Sequence, residues 1–105
     1  MIRVLVVDDD FMVAKVHAAF VARTPGFEVV GVAHSGTTAL VSVAELHPDL
    51  VLLDIHLPDI PGTEVLRRLR EQQPDVDVLV ISAAKEAEPY CSRTSARPAS
   101  TKNSR

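Results

Sequence analysis

Cysteine is almost missing from this 105-residue chain, and long apolar runs and a basic start are missing too. The single cysteine, Cys91, excludes an internal disulfide, and without a neighbouring histidine or aspartate it predicts an inert thiol. No apolar run approaches the ~20 residues that a membrane-spanning helix requires, so we expect no membrane partner. The first residues lack the basic start and small-residue cleavage site of a signal peptide. These absences predict a cytoplasmic protein.

A strongly basic composition is also missing, since the formal net charge is −3, and we expect no direct binding to nucleic acid by this chain. The composition changes abruptly near residue 88. Residues 1–88 are apolar and acidic, whereas residues 89–105 contain no acidic residue and no aliphatic residue larger than alanine. Such a segment cannot bury enough apolar surface to offset its ordering entropy. We therefore predict one small domain over residues 1–88 and a disordered, basic Ser/Arg/Pro tail over residues 89–105.

Four short apolar runs alternate with three segments of helical periodicity in the predicted domain. The runs lack polar alternation and are rich in Val, Ile and Leu, which is typical of parallel strands buried on both faces. We predict strands at residues 2–7, 27–33, 50–53 and 76–81, and helices at residues 11–23, 35–47 and 62–73. In the first helix, Val13, Val16 and Phe20 share one apolar face. The order βαβαβαβ predicts an α/β doubly wound parallel sheet with helices on both faces.

Acidic and hydroxyl side chains follow several of these strands where each strand ends. Asp8, Asp9 and Asp10 follow the first strand, Asp54 follows the third and Ser82 follows the fourth, while His34 and Ser35 follow the second. In open parallel sheets, ligands bind at the carboxyl ends of the strands. We therefore expect these side chains to meet at one edge of the sheet.

Carboxylates gathered at one edge repel one another unless a cation neutralises them. Oxygen ligands alone favour a hard cation, and Mg²⁺ above all. An aspartate beside such an ion can act as a nucleophile towards phosphorus, because the ion offsets repulsion from the incoming phosphoryl group. The set Asp8, Asp9 and Asp54 predicts such a site, and Ser82 is positioned to hold a phosphoryl oxygen. The other loop acids are expected to be merely solvated: Asp10, Asp49, Asp59 and Asp75.

Three short segments carry a family resemblance. They are Val6-Val7-Asp8-Asp9, then Leu53-Asp54-Ile55-His56-Leu57-Pro58 followed by Gly62, and Val80-Ile81-Ser82-Ala83. With these segments the chain, from about residue 1 to residue 86, resembles the receiver domain of bacterial two-component response regulators. It looks most like regulators of citrate or dicarboxylate metabolism, which carry a DNA-binding domain after the receiver. The resemblance implies a flavodoxin-like fold.

The resemblance also implies roles for individual residues. Asp54 would accept a phosphoryl group from the phosphohistidine of a sensor histidine kinase, and Ser82 would sense that group. Mg²⁺ would be held by Asp9 directly, by Asp8 mainly through water, by Asp54 and by the backbone carbonyl of His56. Pro58 and Gly62 would shape the loop beside the site. The implied function is a phosphorelay switch that in full-length relatives controls transcription, and the chain itself would not be an enzyme.

The chain departs from the family pattern after residue 86. A complete receiver has a fifth strand ending in a lysine followed by proline, and neither Lys85 nor Lys102 fits that role. We therefore expect an incomplete receiver of about four strands and three helices, truncated or frameshifted after about residue 88. Without its last strand and helix, such a domain would be marginally stable and prone to aggregation.

Two other functions stay open at this point. The first alternative to a switch is a non-switching receiver fragment that at most docks a kinase. The second is a Mg²⁺-dependent phosphatase that uses an aspartate nucleophile after the first strand. Those enzymes normally have a small or hydroxyl residue after their Asp-x-Asp, whereas Phe11 and Met12 follow Asp10 here.

Overall fold

Residues 1–81 are described by the structure, which is a computed structural model. Ser82 and the predicted tail lie outside the described residues. The elements, in chain order, are β1 (Ile2–Val7), α1 (Phe11–Ala22), β2 (Phe27–Ala33), α2 (Gly36–Leu46), β3 (Leu50–Asp54), α3 (Gly62–Gln72) and β4 (Asp77–Ile81). The strands form one parallel sheet in the order β2-β1-β3-β4. Within residues 1–81, the predicted α/β sheet of four strands and three helices is confirmed.

Burial of both faces explains why the central strands are continuously apolar. In β1, Val4, Leu5, Val6 and Val7 are all 0–1% exposed. Leu5 and Val7 belong to a core cluster that includes residues of α2 and α3, whereas Val4 and Val6 belong to a second cluster with residues of α1. Successive residues of a strand point to opposite faces, so the sheet is covered on both sides. This is the doubly wound arrangement that the sequence predicts.

Local capping bonds fix where the helices begin and end. The side chain of Asp10 accepts hydrogen bonds from the amides of Met12 and Val13 and so caps the N-terminus of α1. Ser35 caps α2 in the same way through the amide of Thr38. His47 ends α2 in the left-handed conformation, with φ of 49°. Each predicted helix boundary lies within one residue of the observed one.

The apolar face predicted for α1 lies largely in solvent. Val16 is 62% exposed and Phe20 is 66% exposed, whereas Ala14 and Val21 are buried against the sheet. Almost every residue of α1 is apolar, so periodicity alone does not identify the inward side. Small side chains face the sheet because they allow the helix backbone to approach it closely.

Candidate metal centre

Three carboxylates meet at the carboxyl edge of the sheet. Val7 at the end of β1 is paired with Leu53 in β3, so the residues that follow, Asp8 and Asp54, leave neighbouring strands at the same level. One carboxylate oxygen from each of Asp8, Asp9 and Asp54 lies within 4.8 Å of the others. The structure therefore brings together the three acids that the sequence singles out.

Burial and the like charges of its neighbours both raise the pKa of Asp54. Asp54 is 7% exposed and Asp8 is 4% exposed, while Asp9 lies at the surface. The pKa of Asp54 is raised above its ordinary value, mainly because burial disfavours the charged form. The charges of Asp8 and Asp9 add to this rise, and the hydrogen bond from the backbone of His56 opposes it. A nearby cation would remove both the repulsion and part of the burial penalty.

Backbone amides hold two of these carboxylates in place. Asp54 Oδ1 accepts a hydrogen bond of 3.1 Å from the amide of His56, and Asp8 Oδ1 accepts one of 2.9 Å from the amide of Asp10. An ionised carboxylate has about four acceptor positions on its two oxygens. These two bonds therefore orient Asp8 and Asp54 and leave acceptor positions for a ligand.

The donor set fits a hard divalent cation. It consists of oxygen atoms alone, two of its carboxylates are buried with like charge, and the exposed Asp9 leaves a route from solvent. Mg²⁺ is typically held by one or two carboxylates and keeps further positions for water or phosphate oxygens. The three aspartates therefore suit Mg²⁺ on their own chemistry.

Close backbone contact shapes the loop between β3 and α3. The amide of Gly62 donates a hydrogen bond of 3.2 Å to the carbonyl of Ile55. A Cβ atom on Gly62 would lie 2.6 Å from Ile55 Cα and 2.8 Å from its oxygen, so no larger residue fits without a backbone shift. In this loop His56 and Pro58 are exposed. The close approach of the Ile55 backbone thus explains why glycine is required at position 62, the position singled out in the sequence.

Sequence reasoning missed the contacts of Asp59. Its carboxylate accepts hydrogen bonds from the amides of Gly36 and Thr37 and, at 2.6 Å, from Thr37 Oγ1. These bonds, led by those from Thr37, hold the pKa of Asp59 far below its usual range. The expectation of mere solvation was wrong for Asp59. It was also wrong for Asp10, which caps α1, and for Asp49, which accepts a hydrogen bond from the amide of Arg3.

His34 at the end of β2 also reaches the site, through the backbone of Asp8. Its Nδ1 lies 2.9 Å from the carbonyl oxygen of Asp8, and its ring stacks on that of Phe11. Ser35, the next residue, instead caps α2. Ser82, the predicted phosphoryl-sensing residue, lies outside the described residues. Within residues 1–81, no helix has the length and apolar character needed to cross a membrane.

Comparison with known proteins gives consistent matches. The protein-family model described as "Response regulator receiver domain" matches residues 4–98, which extends beyond the end near residue 86 expected from the motifs. The transcriptional regulatory protein MalR of Bacillus subtilis is 46% identical over 86 residues. The probable C4-dicarboxylate response regulator DctR of Halalkalibacterium halodurans is 42% identical over 86 residues. Each match covers 82% of this chain and 37% of the relative, so the chain spans well under half the length of these relatives.

A solved structure has the same fold. The response regulator protein TrrA of Thermotoga maritima, crystallised in complex with Mg²⁺-BeF, matches with a TM-score of 0.74 and 32% sequence identity. The match covers 81% of this chain and 72% of TrrA. This chain is therefore similar to TrrA in both fold and sequence.

Proposed function

Because this chain belongs to the response regulator receiver domain family, we propose that it is a phosphorylation-dependent switch in which Asp54 accepts the phosphoryl group. The observation that carries the proposal is the cluster of Asp8, Asp9 and Asp54 at the carboxyl edge of the sheet. Asp54 is the member of this cluster that ends a central strand and is buried beside the other two. Asp8 is also buried after a central strand, so the resemblance of the segment Leu53-Asp54-Ile55 to the family motif is the reason for proposing Asp54 as the acceptor.

The cation site we propose consists of Asp8, Asp9, Asp54 and the backbone carbonyl of His56. Bound Mg²⁺ would supply positive charge that offsets the repulsion between these carboxylates and an incoming phosphoryl group. Asp9 is exposed and is the proposed direct ligand, while Asp8 is buried and is proposed to act mainly through water. The presence of Mg²⁺ in the similar TrrA structure supports the choice of Mg²⁺ as the cation.

The proposed reaction transfers a phosphoryl group between two proteins. A carboxylate oxygen of Asp54 attacks the phosphorus of a phosphohistidine on a sensor histidine kinase. The P–N bond breaks, its electron pair stays with the imidazole, and a P–O bond forms an acyl phosphate on Asp54. The hydrogen bond from the amide of His56 holds the Asp54 carboxylate during this step. Ser82 is proposed to bind a phosphoryl oxygen of the product.

The partner classes follow from the same proposal. The kinase is the phosphoryl donor, and the similarity to the transcriptional regulatory protein MalR supports a place in a pathway that controls transcription. We propose that this chain does not itself bind nucleic acid, since its formal charge is −3. A cytoplasmic location, a domain of residues 1–88 and a separate tail of residues 89–105 are retained as predictions.

Intact-mass measurement tests the phosphoacceptor. The chain is incubated with Mg²⁺ and either acetyl phosphate or a phosphorylated histidine kinase. We expect an adduct of about 80 Da, the mass of one phosphoryl group. It should be absent in Asp54→Asn, absent when EDTA removes Mg²⁺, and present in the matched control Asp75→Asn, which alters an exposed aspartate away from the cluster.

Other outcomes would contradict the switch. Continuous phosphate release that depends on Asp8 but leaves no lasting adduct would indicate the Mg²⁺-dependent phosphatase. Binding to a kinase with no adduct under any condition would indicate a non-switching fragment. An adduct that persists in Asp54→Asn would place the phosphoacceptor elsewhere.

A further inference from the structure

One imidazole ring closes the turn that carries two of the three clustered carboxylates. Asp8 follows β1 and His34 follows β2, and the last paired residues of these strands are Val7 and Ala33. The amide of Asp8 still donates to the carbonyl of Ala33 at 3.0 Å. Beyond that bond the ladder is continued by a side chain, since His34 Nδ1 lies 2.9 Å from the carbonyl oxygen of Asp8.

The chemistry of this contact fixes its direction. A carbonyl oxygen can only accept a hydrogen bond, so Nδ1 of His34 must carry the hydrogen. The bond joins residues 26 apart in sequence and ties the backbone of Asp8 to the end of β2. It therefore restrains the backbone of Asp8, which carries the Asp8 carboxylate and leads directly into Asp9.

Phe11 holds the same ring from the other side of the turn. Its ring centroid lies 3.8 Å from that of His34, with an interplanar angle of 12°. Phe11 is the first residue of α1 and is 70% exposed, so burial in the core does not explain its position. Its stacking restrains the rotation of the His34 ring. The turn of residues 8–11 is thus held at its first residue by a hydrogen bond and at its last by ring stacking.

We propose that His34 is a positioning residue that, together with Phe11, fixes the turn of residues 8–11. In this arrangement of the turn, Asp8 and Asp9 share a cation with Asp54. This inference rests on the proposed function of the cluster. Asp9 is exposed and carries the same charge as its neighbours, so without restraint it would turn towards water. A restrained backbone lowers the entropy lost when its carboxylate joins the cation, and affinity rises accordingly. His34 itself is not a ligand in this proposal.

Calorimetric titration of the metal-free chain with Mg²⁺ tests the proposal without any phosphorylation step. We expect His34→Ala and His34→Leu to weaken Mg²⁺ binding about tenfold, the usual effect of losing a residue that orients metal ligands. His34→Asn should recover most of the affinity, because its side-chain amide nitrogen is the same number of bonds from Cα as Nδ1. Phe11→Leu, which keeps the hydrogen-bond donor and removes the stacked ring, should weaken binding less than His34→Ala.

Two further measurements separate positioning from a general effect on folding. In EDTA, the urea midpoints of the His34 variants should stay within roughly 0.5 M of the parent. At saturating Mg²⁺, the rate of phosphorylation by acetyl phosphate should return close to that of the parent, so the defect lies in the Mg²⁺ dependence. The matched control is His17→Ala, which changes a histidine of α1 outside the cluster and should leave Mg²⁺ binding unchanged.

Several outcomes would overturn the inference. Affinity for Mg²⁺ within twofold of the parent in His34→Leu would remove the role of His34, even if His34→Ala failed to fold. Failure of His34→Asn to improve on His34→Leu would show that the hydrogen bond is irrelevant. If the parent and Asp54→Asn bound Mg²⁺ equally poorly, the proposed cation site itself would fail, and the role of His34 with it.

Discussion

Thr37 and Asp59 are joined by a side-chain hydrogen bond of 2.6 Å across 22 residues of sequence. Thr37 lies in the first turn of α2, and Asp59 lies in the loop that follows β3. The same carboxylate also accepts the amides of Gly36 and Thr37, which have no partner within the helix. These bonds therefore attach the loop beside Asp54 to the N-terminus of α2, which packs on the same face of the sheet as α3.

Replacing Asp59 should make the stability of the fold less dependent on pH in the acidic range. Since the pKa of Asp59 is lowered on folding, its ionised form contributes stability above its unfolded pKa of about 3.9. That contribution is lost as the pH falls through the lower, folded pKa. We expect Asp59→Asn to have a lower melting temperature than the parent at pH 7, with the difference narrowing below about pH 4. Thermal unfolding monitored by circular dichroism across this range measures it.

The control for Asp59→Asn is Asp75→Asn, which removes the same charge at an exposed position. It should leave the melting temperature nearly unchanged at pH 7. A constant difference between Asp59→Asn and the parent at every pH would show that the charge of Asp59 is not what stabilises the fold.

Neutralising Asp54 should stabilise the metal-free protein. Its raised pKa means that keeping it ionised at neutral pH costs folding free energy, through burial and repulsion by Asp8 and Asp9. We expect Asp54→Asn to raise the urea midpoint in EDTA by roughly 0.5 M. Millimolar Mg²⁺ should stabilise the parent by binding the folded state, and should stabilise Asp54→Asn much less. A fall in the midpoint in EDTA would contradict the repulsion at this cluster.

Adding one methyl group at Gly62 should destabilise the loop beside the site. In Gly62→Ala the new Cβ would meet the backbone of Ile55 at 2.6 Å, and backbone atoms yield less readily than side-chain ends. We expect a loss of about 1–3 kcal/mol in the free energy of unfolding. Gly31→Ala is the matched control, because its Cβ would meet the side-chain ends of Leu46 and Leu5 at 2.9 and 3.3 Å. Equal losses in both variants would refute the backbone explanation.

The exposed side of α1 should tolerate polar substitution. Phe20 is 66% exposed, so Phe20→Ser should change the free energy of unfolding by no more than about 0.5 kcal/mol. Leu69 in α3 is fully buried, and Leu69→Ala should cost about 2–5 kcal/mol. Because an exposed apolar surface promotes association, Phe20→Ser should also reduce aggregation, measured by light scattering. A large loss of stability in Phe20→Ser would show that this face is covered in solution.

The elements and the acidic cluster could be predicted from local sequence. The central strands are continuous apolar runs because both of their faces are buried, and proline and glycine mark the ends of the helices. The parallel order βαβαβαβ then puts all strand carboxyl ends at one edge. Asp8, Asp9 and Asp54 could therefore be predicted to meet before any contact between them was known.

Local sequence alone predicts the order of the elements, their bounds within about one residue and the three clustered acids. The orientation of α1, with Ala14 towards the sheet and Phe20 towards solvent, depends on tertiary packing, because a helix whose residues are nearly all apolar has no inward face of its own. Tertiary packing also brings Asp59 to the first amides of α2 and His34 to the backbone of Asp8, across 22 to 26 residues. Propensities and caps act within one helical turn, whereas these contacts depend on which strands and loops become neighbours.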